Sequence, residues 1–208
     1  MEQVSPTRMN LLMRKGQLKI TLHGRDLLKK KRDVLVKEFV QETRNLINSR
    51  KSLNMDLNKA ISMLIIALSI DGQQKIRSTS FVCKRDLNLE VEKKNLWGVK
   101  IPQIKKIPVK RKVNERGYSL ISTSFRIDEV AASFEEVVEH VVNIAPLEVK
   151  LRKLGEEIQK TTRRVNAMEE VLIPSIVKDI NFIKEVLTER EREDLYCLKK
   201  VKKKKGRH

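Results

Sequence analysis

Residues 128–174 read DEVAASFEEVVEHVVNIAPLEVKLRKLGEEIQKTTRRVNAMEEVLIP, and this stretch decides the fold. Val130, Val137, Ile144, Leu151, Ile158, Val165 and Leu172 stand seven residues apart, with Phe134, Val141, Leu154 and Met168 between them. An apolar period of 3.5 sustained over that length is the pattern of a left-handed coiled coil, because it keeps one seam turned toward a partner helix. Beyond Leu172 the seam moves to Ile176, Ile180, Ile183 and Leu187, a four-residue step like a stutter. Pro146 and Pro174 lie inside the pattern and are expected to kink or open the helix locally.

The partner helix is sought upstream. Ser5-Pro6 reads as an N-cap followed by proline at the first helical position. From Thr7 to Ile70 the pattern is helical, with Met13, Ile20, Leu27 and Val34 as the expected seam and Leu46, Leu53, Ala60 and Ala67 continuing it. Gly16 and Gly24 each cost about 1 kcal/mol in a helix relative to Ala, and small residues there allow close approach or a bend. Residues 60–70 are apolar on nearly every face, so cover is needed on more than one side. Asp71-Gly72 ends the arm.

Between the arms the period changes. Leu87, Leu89 and Val91 alternate with polar neighbours as in a half-buried strand, Lys93-Lys94-Asn95 reads as a turn, and Val99 and Ile101 as the return strand. Residues 107–113 and 118–124 are weaker strand or loop segments. The expectation is a mainly α chain: a long antiparallel two-helix left-handed coiled coil with a small β-hairpin insert. Its parts are an arm over 5–70, an insert over 71–129, a second arm over 130–200 and a basic tail over 201–208. Arms of that length are roughly 100 Å long at 1.5 Å per residue, which makes a rod with both termini at one tip.

Composition agrees with helices. Of 208 residues 35% are charged and 40% hydrophobic, aromatics are 4%, and seven glycines with five prolines are too few for a turn-rich β sandwich. The formal net charge is +18, which attracts nucleic acid, anionic membrane or acidic protein without choosing among them. Residues 1–70 carry +8 and residues 130–196 carry −4, while 197–208 adds seven basic groups and no acid. The arms are thus weakly complementary and the tip with the termini is strongly positive. Two cysteines form neither a disulfide framework nor a metal set, no signal peptide is expected, and the uninterrupted apolar run 63–68 is far short of a membrane span.

The residues that carry catalysis elsewhere do not assemble here. There is no glycine-rich phosphate loop, and His23, His140 and His208 are remote from one another, so no catalytic residue, cofactor or metal is expected. His140 reads as an interface residue of the second arm, and Cys83 and Cys197 as free thiols. Trp97 is either core of the insert or an anchor for a partner. From the residues alone three classes fit: a mechanical shaft, a prefoldin-like coiled-coil chaperone, and an RNA-binding coiled-coil arm.

Five blocks go further. Val4-Ser-Pro-Thr-Arg-Met-Asn-Leu-Leu12, Leu27-Leu-Lys-Lys-Lys-Arg-Asp-Val-Leu-Val-Lys-Glu-Phe39, Thr161-Thr-Arg-Arg-Val-Asn-Ala-Met168, Val171-Leu-Ile-Pro174 and residues 189–202 stand in the order found in the D subunit of rotary V-type and archaeal-type ATPases, which the chain resembles. Cys197 stands where that family leads one to expect a larger, often basic residue. The resemblance implies a non-catalytic rotor shaft of the central stalk, peripheral on the cytoplasmic side of the membrane, coupling flow of protons or sodium ions to ATP synthesis or hydrolysis. It implies as partners the A and B subunits of the catalytic hexamer, an F subunit on the side of the shaft and a C subunit toward the membrane rotor ring, with no nucleic acid and no direct membrane span. Arg8, Arg190, Arg192, Lys199, Lys200 and Lys202 are expected to face the acidic ring, and Leu89, Val91 and Trp97 to lie nearer the base.

Overall fold

The computed structural model describes residues 5–105, 108–112, 115–119 and 123–205, the side chains of Lys204 and Lys205 apart. In chain order the elements are α1 (Arg8–Asp71), α2 (Gln73–Val82), strands β1 (Val91–Leu96) and β2 (Val99–Ile104), α3 (Phe125–Ala167), a π-helical turn (Met168–Leu172) and α4 (Ile173–Lys205). The chain is mainly α, with two long helical arms around a two-stranded antiparallel hairpin. Compactness divides it into two units, residues 1–34 with 158–208 and residues 35–157.

The cap of α1 falls two residues later than the Ser-Pro reading places it. Thr7 Oγ1 accepts the Asn10 N–H at 3.2 Å, satisfying a first-turn donor that has no intrahelical partner. At the other end Gly72, at φ +82°, breaks the backbone, and α2 follows at once where the sequence pattern shows no helix.

Cross-arm contacts fix the direction of packing in each unit. In the first, Arg8 pairs with Glu191 at 2.8 Å, Arg14 with Asp179 at 3.5 Å, and Lys29 with Glu169 at 2.5 Å. In the second, Lys150 reaches Glu38 at 2.8 Å and Glu42 at 2.5 Å, Arg50 reaches Glu148 at 2.5 Å, and His140 Nδ1 lies 3.1 Å from Asp56 Oδ2. As one residue number rises the other falls, so the arms run antiparallel within each unit.

On the second arm Val130, Val137, Ile144, Leu151, Leu154 and Val165 are buried, Ile158 is half-buried, and Thr161 lies among them. The first arm departs from expectation. Met13, Ile20, Leu27 and Val34 are 57%, 74%, 66% and 37% exposed, so they are not the seam. The inward positions are instead Leu11, Arg14, Leu18, Thr21, Arg25, Leu28, Arg32 and Leu35, continuing through Phe39, Glu42, Leu46, Ser49, Leu53, Asp56, Ala60, Met63 and Ala67. These alternate by three and four residues without a break. Arginines occupy seam positions because their stems cover apolar surface while the charged heads reach carboxylates on the other arm.

Leu172 is a second correction, at 45% exposed. The π-helical turn takes up one extra residue: the Ile173 N–H donates to the Met168 carbonyl, five residues back. The seam therefore steps eight residues from Val165 to Ile173 and resumes at Ile176, Ile180 and Ile183, all buried. Pro174 follows directly, where the disturbed ladder already lacks a regular donor. Pro146, by contrast, sits inside an uninterrupted α3.

The hairpin is present, but its turn is Trp97-Gly98 and not Lys93-Lys94-Asn95. Leu96 pairs with Val99, and both loop residues have positive φ, 53° and 87°, as a two-residue type I′ connection demands. Strand β2 buries Val99 and Ile101, and β1 is exposed along nearly its whole length. Leu87 and Leu89 precede the strand. Parts of the segments 107–113 and 118–124 lie outside the described residues, and the described parts hold no strand.

If the π-turn is a one-residue insertion, deleting exposed Glu170 restores an unbroken 3.5-residue seam. That variant is expected to melt at or above the wild-type temperature. Deleting Lys160, in regular helix, rotates the seam out of contact and lowers the melting temperature sharply. Circular dichroism melts of the two deletions check both signs.

Candidate partner-binding surfaces

The termini-bearing end of the first unit is built from α1 and α4. Arg8 pairs with Glu191, and Arg190 Nη1 donates to the Pro6 carbonyl at 3.4 Å, so the structure brings Arg8 and Arg190 to one place. Because α1 begins there, α4 continues without it, over residues 192–205 or about 20 Å of helix. Every described side chain on that overhang is exposed, including Arg192, Lys199, Lys200 and Lys202. Leu195, Leu198 and Val201 form an apolar stripe on it with Tyr196 beside them. Among the described residues nothing covers this stretch of helix, which leaves its cations and its apolar stripe exposed together.

In the second unit Leu89, Val91 and Trp97 are all exposed, Trp97 at 59% on the tip of the hairpin. Lys153 Nζ donates to the Lys100 carbonyl at 2.8 Å and holds β2 against α3. Toward the C-terminal end of α1, Ala60 and Ala67 are buried while Ile61, Ile65, Ile66, Leu68 and Ile70 are exposed. That helix also contains an eighteen-residue window long and apolar enough to cross a membrane, which the six-residue run 63–68 does not reveal.

A buried polar cluster in the same unit escaped the sequence reading. Arg116, 4% exposed, donates through Nη2 to Glu135 Oε2 at 3.0 Å and through Nη1 to both the carboxylate and the carbonyl of Asp128. Arg111 meets Glu135 through Nε at 3.0 Å and its backbone N–H at 3.2 Å, and donates to the Cys83 carbonyl. Tyr118 donates its hydroxyl to Asp128 at 2.6 Å. Burial and this hydrogen bond push the Tyr118 phenol up to about 12. Burial raises Glu135, but the bonds from Arg116 and Arg111 outweigh it and leave its carboxyl below the ordinary range. Burial likewise raises the Cys83 thiol. The cluster fastens the described parts of the insert after β2 to α2's end and to α3. Among the described residues no group of three or more His, Cys, Asp and Glu side chains comes together as a metal site.

This arrangement is one to be compared with known proteins. The family of ATP synthase D subunits matches residues 10–203. The D subunit of the V-type ATP synthase of Thermus thermophilus is 41% identical over 206 residues, covering 97% of this chain and 89% of that relative. The D subunit of the A-type ATP synthase of Archaeoglobus fulgidus is 39% identical over 211 residues, covering 100% of both chains. Its counterpart in the A-type ATP synthase of Pyrococcus furiosus is 38% identical over 200 residues, 96% of this chain and 94% of the relative. The chain belongs to the D-subunit family of V-type and A-type ATP synthases. In this member of the family the overhang of α4, the hairpin tip and the distal part of α1 expose large apolar side chains.

Two outcomes follow. Arg116→Met leaves Glu135 to Arg111 and Asp128 to Tyr118, and is expected to cost about 1–3 kcal/mol, read from guanidinium midpoints. Glu42 is held below its ordinary value of 4.5 by the hydrogen bond from Lys150, against burial. Its contribution is complete above that ordinary value and is lost as pH falls through the lowered one. Between pH 5 and pH 3 the melting temperature should therefore fall more steeply for wild type than for Glu42→Gln.

Proposed function

We propose that this chain is a non-catalytic rotor shaft of the central stalk, carrying torque between an ion-driven membrane rotor and the catalytic ring of a V/A-type ATP synthase. The observation that supports it most is the α4 overhang, exposed on all sides and carrying cations, in a chain of the D-subunit family. The end with the termini enters the hexamer of A and B subunits, with Arg8, Arg190, Arg192, Lys199, Lys200 and Lys202 against it. Long hydrated cations attract an acidic wall with little geometric commitment, so the shaft is held without sticking at one angle. An F subunit flanks the stalk. The second unit, through the exposed isoleucines of α1 and through Leu89, Val91 and Trp97, seats in the C subunit on the cytoplasmic side of the membrane. A two-helix shaft within a threefold ring presents different faces to three chemically equal sites, which is what drives them through their states in turn.

Arg190, Arg192, Lys199, Lys200 and Lys202 changed together to Glu should leave the chain folded, because none is buried. Assembly with the A/B ring, read by gel filtration, should weaken at least tenfold and become less sensitive to salt. Unchanged assembly and coupled turnover would sink the ring contact. RNA recovered in place of ATPase subunits would favour the RNA-arm reading.

A further inference from the structure

We propose that the second unit binds a small anionic amphiphile, a carboxylate with one long apolar tail, in a cavity beneath α2. The cavity is about 500 Å³, walled by Leu64 of α1, Ile76 and Phe81 of α2, and Ile127, Val130 and Phe134 of α3. Small-molecule sites occupy roughly 300–1,000 Å³ and are mostly apolar, with a few polar groups that fix the ligand. No residue of α2 is buried, so this helix roofs the space without filling it.

Contacts at one end of α2 keep the walls apart. Arg111 donates to the Cys83 carbonyl at 3.2 Å while its Nε holds Glu135 of α3 at 3.0 Å. Gly117, at φ +85°, lies so near that a Cβ there would stand 3.2 Å from Val82 Cγ1. Pinned at Val82 and Cys83, α2 cannot settle onto α3 and close the gap as a loosely held helix would.

The polar groups choose the head of the ligand. Among the lining residues Lys84 alone is charged; it is exposed and has no carboxylate partner among the described residues. Three hydroxyls also line the cavity, but each already donates its proton. Thr79 gives it to the Lys75 carbonyl at 2.8 Å, Ser80 to the Arg77 carbonyl at 2.8 Å and Tyr118 to Asp128 at 2.6 Å. A carboxylate, which only accepts, therefore finds its donor in Lys84 and leaves its tail to the apolar walls. A cationic head is repelled there. An anion without a tail gains a single exposed ammonium, a contact of little worth. Water finds too few partners to fill the remainder. The inference is independent of the shaft reading, since every residue it uses belongs to the second unit.

The test is isothermal titration of the full-length chain with ionised dodecanoate, which should bind at one site per chain. Hexanoate, with less tail to bury, should bind weaker by about tenfold or more. Lys84→Glu should also weaken dodecanoate by about tenfold or more, and Lys84→Arg should keep it. Ala131→Met, which narrows the cavity, should weaken it while the melt stays cooperative. Should that variant fail to fold, Lys84→Glu and hexanoate decide. The cysteines report the location, because Cys83 lines the cavity and Cys197 is exposed in the other unit. Dodecanoate should slow alkylation of Cys83 severalfold and leave Cys197 unchanged. An amphiphile that merely coats a basic chain gives several equal sites, ignores Lys84→Glu and spares Cys83 no more than Cys197. Any of those results, no binding, or equal affinity for hexanoate or for dodecyltrimethylammonium overturns the proposal.

Discussion

Everything else in this chain depends on a seam in which one arm is apolar and the other is half charged. The second arm offers Val137, Ile144, Leu151 and Val165, while α1 answers with Arg14, Arg25, Glu42 and Asp56 among its leucines. Exposed or half-exposed pairs of this kind add little stability singly. Their strength is in register. A slip of one heptad in either direction puts Arg14 opposite Val186 or Leu172, Glu42 opposite Glu157 or Asn143, and Asp56 opposite Leu147 or Ser133. No opposite-charge pair among these survives the slip, so an apolar seam that would tolerate several registers is confined to one.

That same device is why half the fold was legible and half misled. The second arm spells its seam in hydrophobic residues, and periodicity finds it. In the first arm the most apolar heptad, Met13 to Val34, is on the outside, because the seam positions are filled by Arg14, Thr21, Arg25 and Arg32. A period search that counts only apolar residues must choose the wrong face. Charge carried the missing signal: Arg14, Glu42 and Asp56 fall on the same heptad as Leu35, and Asp179, Lys150 and His140 supply their complements in reverse order. The hairpin turn was missed for a local reason, since a tryptophan at positive φ is rarely the residue a turn uses.

The candidate surfaces were legible as charge and invisible as geometry. Composition alone shows a basic C-terminus, but that α4 outruns α1 follows only from knowing that Arg8 meets Glu191. The cluster around Arg116 had no sequence signature at all. Its partners Asp128 and Glu135 lie 12 and 19 residues away, and no spacing rule joins them. Family membership, by contrast, was carried by ordered blocks on both arms, because those blocks hold the seam and the end of the chain together.

The net charge of +18 can now be divided by what each cation touches. Arg14, Arg25, Lys29, Arg50 and Lys150 are neutralised across the seam of their own unit, and Arg111 and Arg116 within the insert. The exposed basic residues are spread along the chain, over α1 with Lys15, Lys19, Arg44 and Lys51, over α2 and the hairpin with Lys75, Arg77, Lys93 and Lys94, and over the α4 overhang with Lys199, Lys200 and Lys202. On the α4 overhang they stand beside exposed Leu195, Leu198 and Val201. A surface that binds polyanions by charge alone has no need of those apolar residues, and a purely hydrophobic interface has no need of the lysines. Cations beside an apolar stripe on the α4 overhang suit a folded partner with an acidic, amphipathic surface, in keeping with a chain of the D-subunit family.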